Sequence, residues 1–551
     1  MSDEMDPPVK RESSYQHHIS DKVIMEHMLR ERFEHAKKQE KDYSHLFRPK
    51  RAWELVRLAL YQLSVEFCYA AETGFASPII LSNGLSHTFM TMIWAFSPVL
   101  GFLFAPVVAA FSDQIRLSWG RRRPVLIALA LAVCTGLCIL PHGKTLGILL
   151  GDDDVPVEEM SGFRWGIVLT TIGLVLTDFD IETSSGIGRA YYMDMCIIDD
   201  HPRVLTTAMI VGGIGGTAGY TLGAIDWSQN SFGTAMGSNE AAVFLCVVIV
   251  MLIGVLVTVT SYREVSLPQM EKDALLRPIT QSMFEEEKKR QLAIYSVSGV
   301  VLEPRKSVDG YSITVDEKEE PSISCGNFFK NLIHMPKSLA ILYLTQFLSM
   351  FGYLSYCMYF TDFVGSAVFE GDVTAPTGSP GLILYEEGVR FGCWGMAVFT
   401  GSCALYSLMI EKLIKYFSAR YVYVGGILVY SIGMLLMAVF RTKWMVLACG
   451  PTVGIMYATI YSIPFLAISQ YHAKNSFAIK DGKYAESNQK RGFGTDVSML
   501  SSMLFLAQLI LALGIGSVID AIGDTTVIIY TASLFSFFAA ISATQVLLMD
   551  L

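Results

Sequence analysis

Residues 165–189 read WGIVLTTIGLVLTDFDIETSSGIGR, an apolar run broken near its middle by Asp178, Asp180 and Glu182 and closed by Arg189. Its flanks are those of a membrane span, since a helix needs about 20 apolar residues to cross the hydrocarbon core. A carboxylate at that depth costs about 2.5–3.5 kcal/mol on insertion scales, so it is retained for a pathway, a relay or a partner. At ~100° per residue, Asp178, Glu182, Ser185 and Arg189 share one helix face, because offsets of 4, 7 and 11 return close to the start. Asp180 points the other way. The shared face carries a carboxylate at mid-depth and an arginine about 16 Å further along. Gly186 and Gly188 let a neighbouring helix or a ligand come close. Burial favours the neutral form of a carboxyl and a nearby arginine favours the charged form. A group balanced between the two can load a proton on one side and release it on the other. Asp178 is the foremost candidate for that role, with Glu182 and Asp180 beside it. Arg189 is a candidate substrate contact. The plainer alternative is a static ion pair locking two helices.

The rest of the chain is built to the same plan. It has 551 residues, 52% hydrophobic and 17% charged, with a mean hydropathy of +0.42. Soluble chains carry about 25% charged residues. Twelve spans are expected, at roughly 55–82, 87–111, 124–141, 163–196, 204–226, 240–262, 338–364, 388–410, 420–440, 444–470, 495–519 and 525–548. The fourth is too long for a straight crossing and should tilt. The first fifty residues are polar, and no cleavable signal peptide is expected. The net charge of −9 is spread over loops and tails and carries no nucleic-acid message. Of ten cysteines, Cys68, Cys134, Cys138, Cys246, Cys357, Cys393, Cys403 and Cys449 lie inside apolar runs, where free cysteine behaves as a small hydrophobe. With no CxxC and no ligand-like spacing, neither a disulfide framework nor a metal or other cofactor is expected.

Lysine and arginine cluster at 49–57, 116–123, Arg203, 263–337, 412–420 and 471–491, whereas the 142–162 and 365–387 loops are acidic. The positive-inside rule then puts both termini in the cytosol of a multi-pass membrane protein. The 263–337 connector is the one long hydrophilic interruption. It divides the chain into a cytosolic tail (1–52), a six-helix half (53–262), the connector, and a second six-helix half (338–551). Two six-helix halves with a site between them near the midplane are the pattern of a transporter.

Other spans also carry polar residues. In the first, Gln62, Glu66, Tyr69 and Thr73 share a face, and Glu72 is turned about 120° away. An aromatic ring beside polar groups suits a sugar, so Glu66, Tyr69 and Glu72 are candidate substrate contacts, although tyrosine is also common at helix interfaces. Asp362 and Arg390 flank the outer ends of the seventh and eighth spans, as substrate or gating groups or as plain interface charges. In SDQIRLSWGRRRP (112–124) an acid precedes a tight basic turn with Gly120 at its bend. It resembles the signature loop of the major facilitator superfamily, in which acid and arginines close the cytosolic side. Asp113, Arg121 and Arg122, with Asp194, are the candidate cytosolic gate. Pro464 breaks the tenth span and frees backbone groups that need other partners. In the connector, Glu271 stands four residues before Leu275 and Leu276, a pattern resembling a sorting-adaptor signal.

These segments together resemble the sucrose:proton symporters and their animal relatives, the solute carrier family 45 members (glycoside–pentoside–hexuronide cation symporters), within the major facilitator superfamily. VEFCYAAETGFASP (65–78) lines up with V-Q-F-x-W-A-L-Q…P of the plant proteins, and GLSH, ending at His87, with G-I-P-H. SWGRRRP (118–124) matches R-W-G-R-R-R-P. TDFDIETSSGIGRAYYMD (177–194) places Asp178, Arg189 and Asp194 on the family's acid, arginine and closing acid. TDFVG, EGVRFG and TIYSIPF follow in register. The resemblance implies an all-α membrane fold of twelve transmembrane helices in two six-helix halves. It also implies Asp178 as proton acceptor, Arg189 as sugar contact or partner of the acid, and His87 as a substrate contact. The chain departs from the pattern where the plant glutamines become Glu66 and Glu72 and the amide pair after the acid becomes Ile181–Glu182.

The expected function is a proton-coupled sugar symporter for sucrose or a related glycoside or hexose, not an enzyme. Its partners would be the sugar, the proton and the lipid bilayer, in a monomer at the plasma membrane or a lysosome-like acidic organelle. The alternatives are a transporter of an amine or organic ion, and a non-transporting sensor or scaffold. A scaffold has no reason to bear the cost of intramembrane acids.

Overall fold

The computed structural model describes residues 21–152, 164–227, 230–277, 279, 283–284, 287–288, 290, 335–376, 378–473, 476–480, 483–486 and 493–546. The acidic residues Asp153, Asp154, Glu158 and Glu159, most of the 278–334 connector and the 487–492 stretch lie outside the described residues. Inside a bilayer every backbone N–H and C=O must be paired within its own segment, and each apolar run is a helix. In chain order the helices are α1 (Asp21–Lys37), α2 (Ala52–Ser82), α3 (His87–Gln114), α4 (Arg123–Leu149), α5 (Trp165–Asp194), α6 (His201–Ala224), α7 (Ser231–Met236), α8 (Asn239–Ser261) and α9 (Leu267–Lys272). After the connector come α10 (Lys337–Phe363), α11 (Pro380–Phe417), α12 (Ala419–Phe440), α13 (Lys443–Ile460), α14 (Ile463–Ala473), α15 (Phe493–Ile522) and α16 (Thr526–Ala543). A short antiparallel hairpin, β1 (Ser476–Lys480) with β2 (Lys483–Glu486), sits between α14 and α15.

Among the described residues, nine helical segments are long and apolar enough to cross a membrane, with α13 and α14 counted as one. The long helices outside that group are α2, α5 and α6, of 31, 30 and 24 residues. At ~1.5 Å per residue even the shortest of them exceeds a hydrocarbon core about 30 Å thick. Acids dilute the apolar character of α2 and α5. In α6, GGIGGTAGYTLGA does so with glycine.

Those glycines place α6 at the seam between the halves. A Cβ on Gly215 would lie 2.3 Å from the Leu63 carbonyl oxygen of α2, and one on Gly213 would lie 2.8 Å from Ala404 of α11. The backbone of α6 is therefore wedged between a helix of each half, and Thr217 and Thr400 exchange a hydroxyl bond there at 3.1 Å.

The tenth span is two helices. Pro464 has no N–H to give the Ile460 carbonyl four residues back. The chain turns at Tyr461–Ser462, and Gln346 of α10 supplies the missing donor, Nε2 to Ile460 O at 3.3 Å.

Residues 21–47 and the start of the connector pack together. At the end of the bundle carrying Arg121–Arg123, called the basic end below, α1 docks on the first connector residues. His35 Nε2 lies 2.6 Å from Asp273 Oδ2, Tyr43 donates its hydroxyl to Gln269 Oε1 at 3.0 Å, and Arg32 donates to the Arg277 carbonyl. The expected sorting pattern is folded into this cap. Leu276 is 3% exposed, and Glu271 pairs with Arg116 at 2.8 Å. An adaptor cannot reach both leucines in this conformation, because the apolar side chain is already covered by the core.

Candidate functional site

The basic turn closes on a network of acids. Gly120 holds φ of +132°, a conformation open to glycine, and this brings Arg121 and Arg122 back over the ends of α3 and α5. Arg122 Nε donates to Asp194 Oδ2 at 2.6 Å, and its Nη2 lies 2.9 Å from Asp113 Oδ1. Arg121 Nη2 reaches the same Asp194 oxygen at 2.9 Å. The four expected gate residues thus meet. Sequence reading missed a fifth, Glu264, which lies just past α8. It is buried and accepts the backbone N–H groups of Arg122 and Arg123 at 3.0 and 3.3 Å. Burial pushes its carboxyl above the usual range, Asp194 adds to this, and the backbone donors work against it. Beneath the network lies a cavity of about 380 Å³ walled by α1 and the connector and bordered by Asp194 and Glu264.

At mid-depth the predicted stripe of α2 faces α5. Gln62 Nε2 donates to Glu66 Oε1 at 3.1 Å, the Tyr69 hydroxyl donates to Glu182, and the Thr73 and Tyr220 hydroxyls bond to each other. On α5, Arg189 donates to Ser185 Oγ at 3.0 Å. The charges it meets are Glu66 and Glu182 rather than Asp178. The space beside this face is open. A Cβ on Gly186 would meet nothing within 4 Å, and Arg189 is exposed.

The second half contributes the opposite wall. At the break in the tenth span, Tyr457 and Tyr461 pack in a tilted pair with ring centroids 4.6 Å apart. Tyr457 also packs on Tyr353 at 5.2 Å and on Phe399 at 5.7 Å. Tyr461 shares the electrostatic surroundings of Glu182, Arg189 and Glu66. Nothing in the composition of YATIYSIPF (457–465) marked these tyrosines as site residues. Pro464, which creates the break, was the available signal.

The remaining acids of the two helices separate clearly. Asp178 is 4% exposed and accepts from Ser97 of α3 and from Gln508 Nε2 of α15 at 3.4 Å. That bond crosses from one half to the other. Asp180 is buried on the other side of α5, in the surroundings of Tyr61, and its Oδ2 has no partner. Glu72 was expected among the substrate contacts. It is 0% exposed, with neither carboxylate oxygen bonded, because the helix turns it off the open stripe. The charges nearest it are Asp178 and Glu182.

At the end opposite the basic turn, His87 and Asp362 meet at 3.1 Å, and Asp362 also accepts the Tyr385 hydroxyl at 2.9 Å. Arg390 is not part of this cluster. Its nearby charge is Glu386, on the same helix. Among the described residues no group of three or more His, Cys, Asp or Glu side chains is placed to hold a metal ion.

The geometry comprises acids and an arginine at mid-depth, an aromatic wall from the other half, and charged networks at both ends. No protein-family profile matches the chain. It is similar in structure to the D-xylose–proton symporter, with a TM-score of 0.55 and 11% identity over 90% of this chain and 97% of that one. It is also similar to the nucleoside transporter NupG, with a TM-score of 0.53 and 13% identity over 89% and 98%. The fold is that of the major facilitator superfamily.

In sequence it is 29% identical to the membrane-associated transporter protein of Mus musculus over 89% of this chain and 92% of that one. It is 26% identical to the proton-associated sugar transporter A of Homo sapiens, over 89% and 85%, and 25% identical to solute carrier family 45 member 4 of Homo sapiens, over 90% and 86%. The chain is a homologue of the solute carrier family 45 transporters.

Proposed function

We propose that this transporter is a proton-coupled sugar symporter that works by alternating access. The site lies between the half at 53–262 and the half at 338–551, and the basic end and both termini face the cytosol. The observation that carries the reading is the mid-depth seam. Asp178 of the first half is bonded to Gln508 of the second, on the same helix as the Glu182 and Arg189 that gather with Glu66, Tyr69 and, from the second half, Tyr461. The tyrosine rings offer a C–H-binding surface, and the acids and Arg189 offer hydrogen bonds to hydroxyls. Asp178 exchanges the proton, and its bond to Gln508 makes its protonation sensitive to how the halves sit. The relative whose name refers to proton-associated sugar transport supports the pairing of solute and proton.

The surplus of acids, Glu66 and Glu182 at the pocket and Glu72 behind it, favours a second reading in which the solute is an amine or other organic cation. One experiment separates them. Purified protein in proteoliposomes is given labelled sucrose, hexoses and small amines, with and without an imposed pH gradient. Gradient-driven accumulation of a sugar supports the proposal. Accumulation of amines alone replaces it with the second reading, and uptake indifferent to the gradient ends both.

A further inference from the structure

His87 stands at the first residue of α3, in the first half. Its Nε2 lies 3.1 Å from Asp362 Oδ2 of α10, and its Nδ1 lies 3.4 Å from Asp520 Oδ1 of α15. Both acids belong to the second half. A neutral imidazole has one N–H and one lone pair, so facing two carboxylates it would set that lone pair against an oxygen. Only the imidazolium donates from both nitrogens. The acids are themselves held in place. Asp362 is buried and takes the Tyr385 hydroxyl from α11. Asp520 takes the backbone N–H and hydroxyl of Thr88, beside His87, at 3.0 and 2.5 Å. The other ionisable group facing this cluster is Tyr359 of α10. One ring therefore ties three helices from both halves together at the end away from the basic turn, and Ser77 adds a bond to the Met358 carbonyl across the same seam at 2.7 Å.

We infer that His87 is a positioning residue, a clasp that holds this end of the carrier shut while its ring is charged and lets it open when the ring gives up its proton. The clasp needs no contact between His87 and the solute, and its proton is separate from the one assigned to Asp178. Losing the charge leaves one carboxylate without its donor and removes the attraction between the halves. The carrier then shifts toward the state open at the His87 end, and the space beside Gly186 closes.

The test needs no solute, so it stands or fails apart from the sugar reading. Gly186→Cys places a thiol in that open space, in a background whose other reactive cysteines are serine. Vesicles of both orientations receive a membrane-impermeant thiol reagent on the basic-end side, and the pH on the His87 side is varied through the ordinary histidine range near about 6.5. Labelling should fall roughly tenfold as that pH rises, the population shift expected from one charge-assisted bond. His87→Arg, which keeps the charge, should label fast at every pH. His87→Asn should label slowly at every pH. Asp520→Asn weakens the same clasp without touching the ring and should also slow labelling, which covers the case of a histidine variant that fails to reach the membrane. A persisting pH dependence in His87→Asn, or equal labelling of the Arg and Asn variants, would overturn the inference.

Discussion

Asp178→Asn should uncouple the carrier without unfolding it. Asparagine has the size of aspartate, so it opens no cavity beside α3 and α15. Its side-chain oxygen can still accept from Gln508, which stands 3.4 Å from the carboxylate, and from Ser97. An apolar replacement would strand both donors at about 1–3 kcal/mol each; the amide avoids that. What the amide cannot do is take up and release a proton. One proton falling through ~1 pH unit and ~100 mV provides about 1.4 and 2.3 kcal/mol, together about 3.7. That sustains roughly 500-fold accumulation of a neutral solute. The variant should only equilibrate it. The assay is the plateau ratio of labelled sugar in proteoliposomes with imposed pH and potassium-diffusion gradients, and solute counterflow without a gradient shows that the pocket still works. Accumulation by the variant to the wild-type ratio would refute the assignment of the proton to Asp178.

Tyr69→Phe removes the hydroxyl donated to Glu182 and leaves that carboxylate short of a donor, worth about 1.5–3 kcal/mol for a bond to a charged group. The KM for the transported solute should rise at least tenfold, and a KM within twofold of wild type would contradict the placement of Tyr69 in the pocket. Gly120→Ala puts a β-carbon 2.1 Å from Glu264 Oε2 at a φ of +132°. A strain of about 1–3 kcal/mol should lower the thermal midpoint in detergent, and an unchanged midpoint would argue against a left-handed Gly120 packed on Glu264. His45 is half-buried against Tyr262, bonds the Arg263 carbonyl and is held down from 6.5 to about 4, loss of solvent being the main cause. Its unfolded form therefore binds a proton that the folded form resists, so the cost is absent above pH 6.5 and grows as pH falls toward 4. Hydrogen exchange of residues 43–47 should speed up over that interval, and His45→Gln should abolish the acid step; an acid step of the same size in the variant would exclude His45 as its source.

The helices were legible because the bilayer leaves a hydrophobic segment few alternatives. Helical phase was legible for the same reason: the stripe of Gln62, Glu66, Tyr69 and Thr73 faces α5, and Asp180 lies apart from Asp178. Contacts between distant spans were not. The partner of Asp178 is Gln508, 330 positions away, and Arg189 attends Glu66 and Glu182 because α2 lies alongside α5. Glu264 escaped notice because its role is to accept backbone N–H groups, which leave no trace in side-chain identity. Glu72 was grouped with the pocket by type, whereas its phase already turned it into the wall.

Among the described residues the three long helices too polar or glycine-rich to count as apolar spans are α2, α5 and α6, and they carry the mid-depth acids and the glycine seam. A span that faces only lipid gains from every apolar residue. A span at the seam gives up apolar surface for acids, as in α2 and α5, or for glycines that let the halves approach, as in α6. The helix-forming cost of glycine, about 1 kcal/mol per residue relative to alanine, is offset only where close approach is needed: Gly213 meets α11 across that seam, and Gly215 meets α2 within the first half. Weak hydropathy in a run long enough to span therefore marks a helix that works between the halves. By the same measure α10, with the lowest hydropathy of the nine and two-thirds of its window buried, is the second-half counterpart. It carries Asp362 to the His87 end and Gln346 to the broken helix.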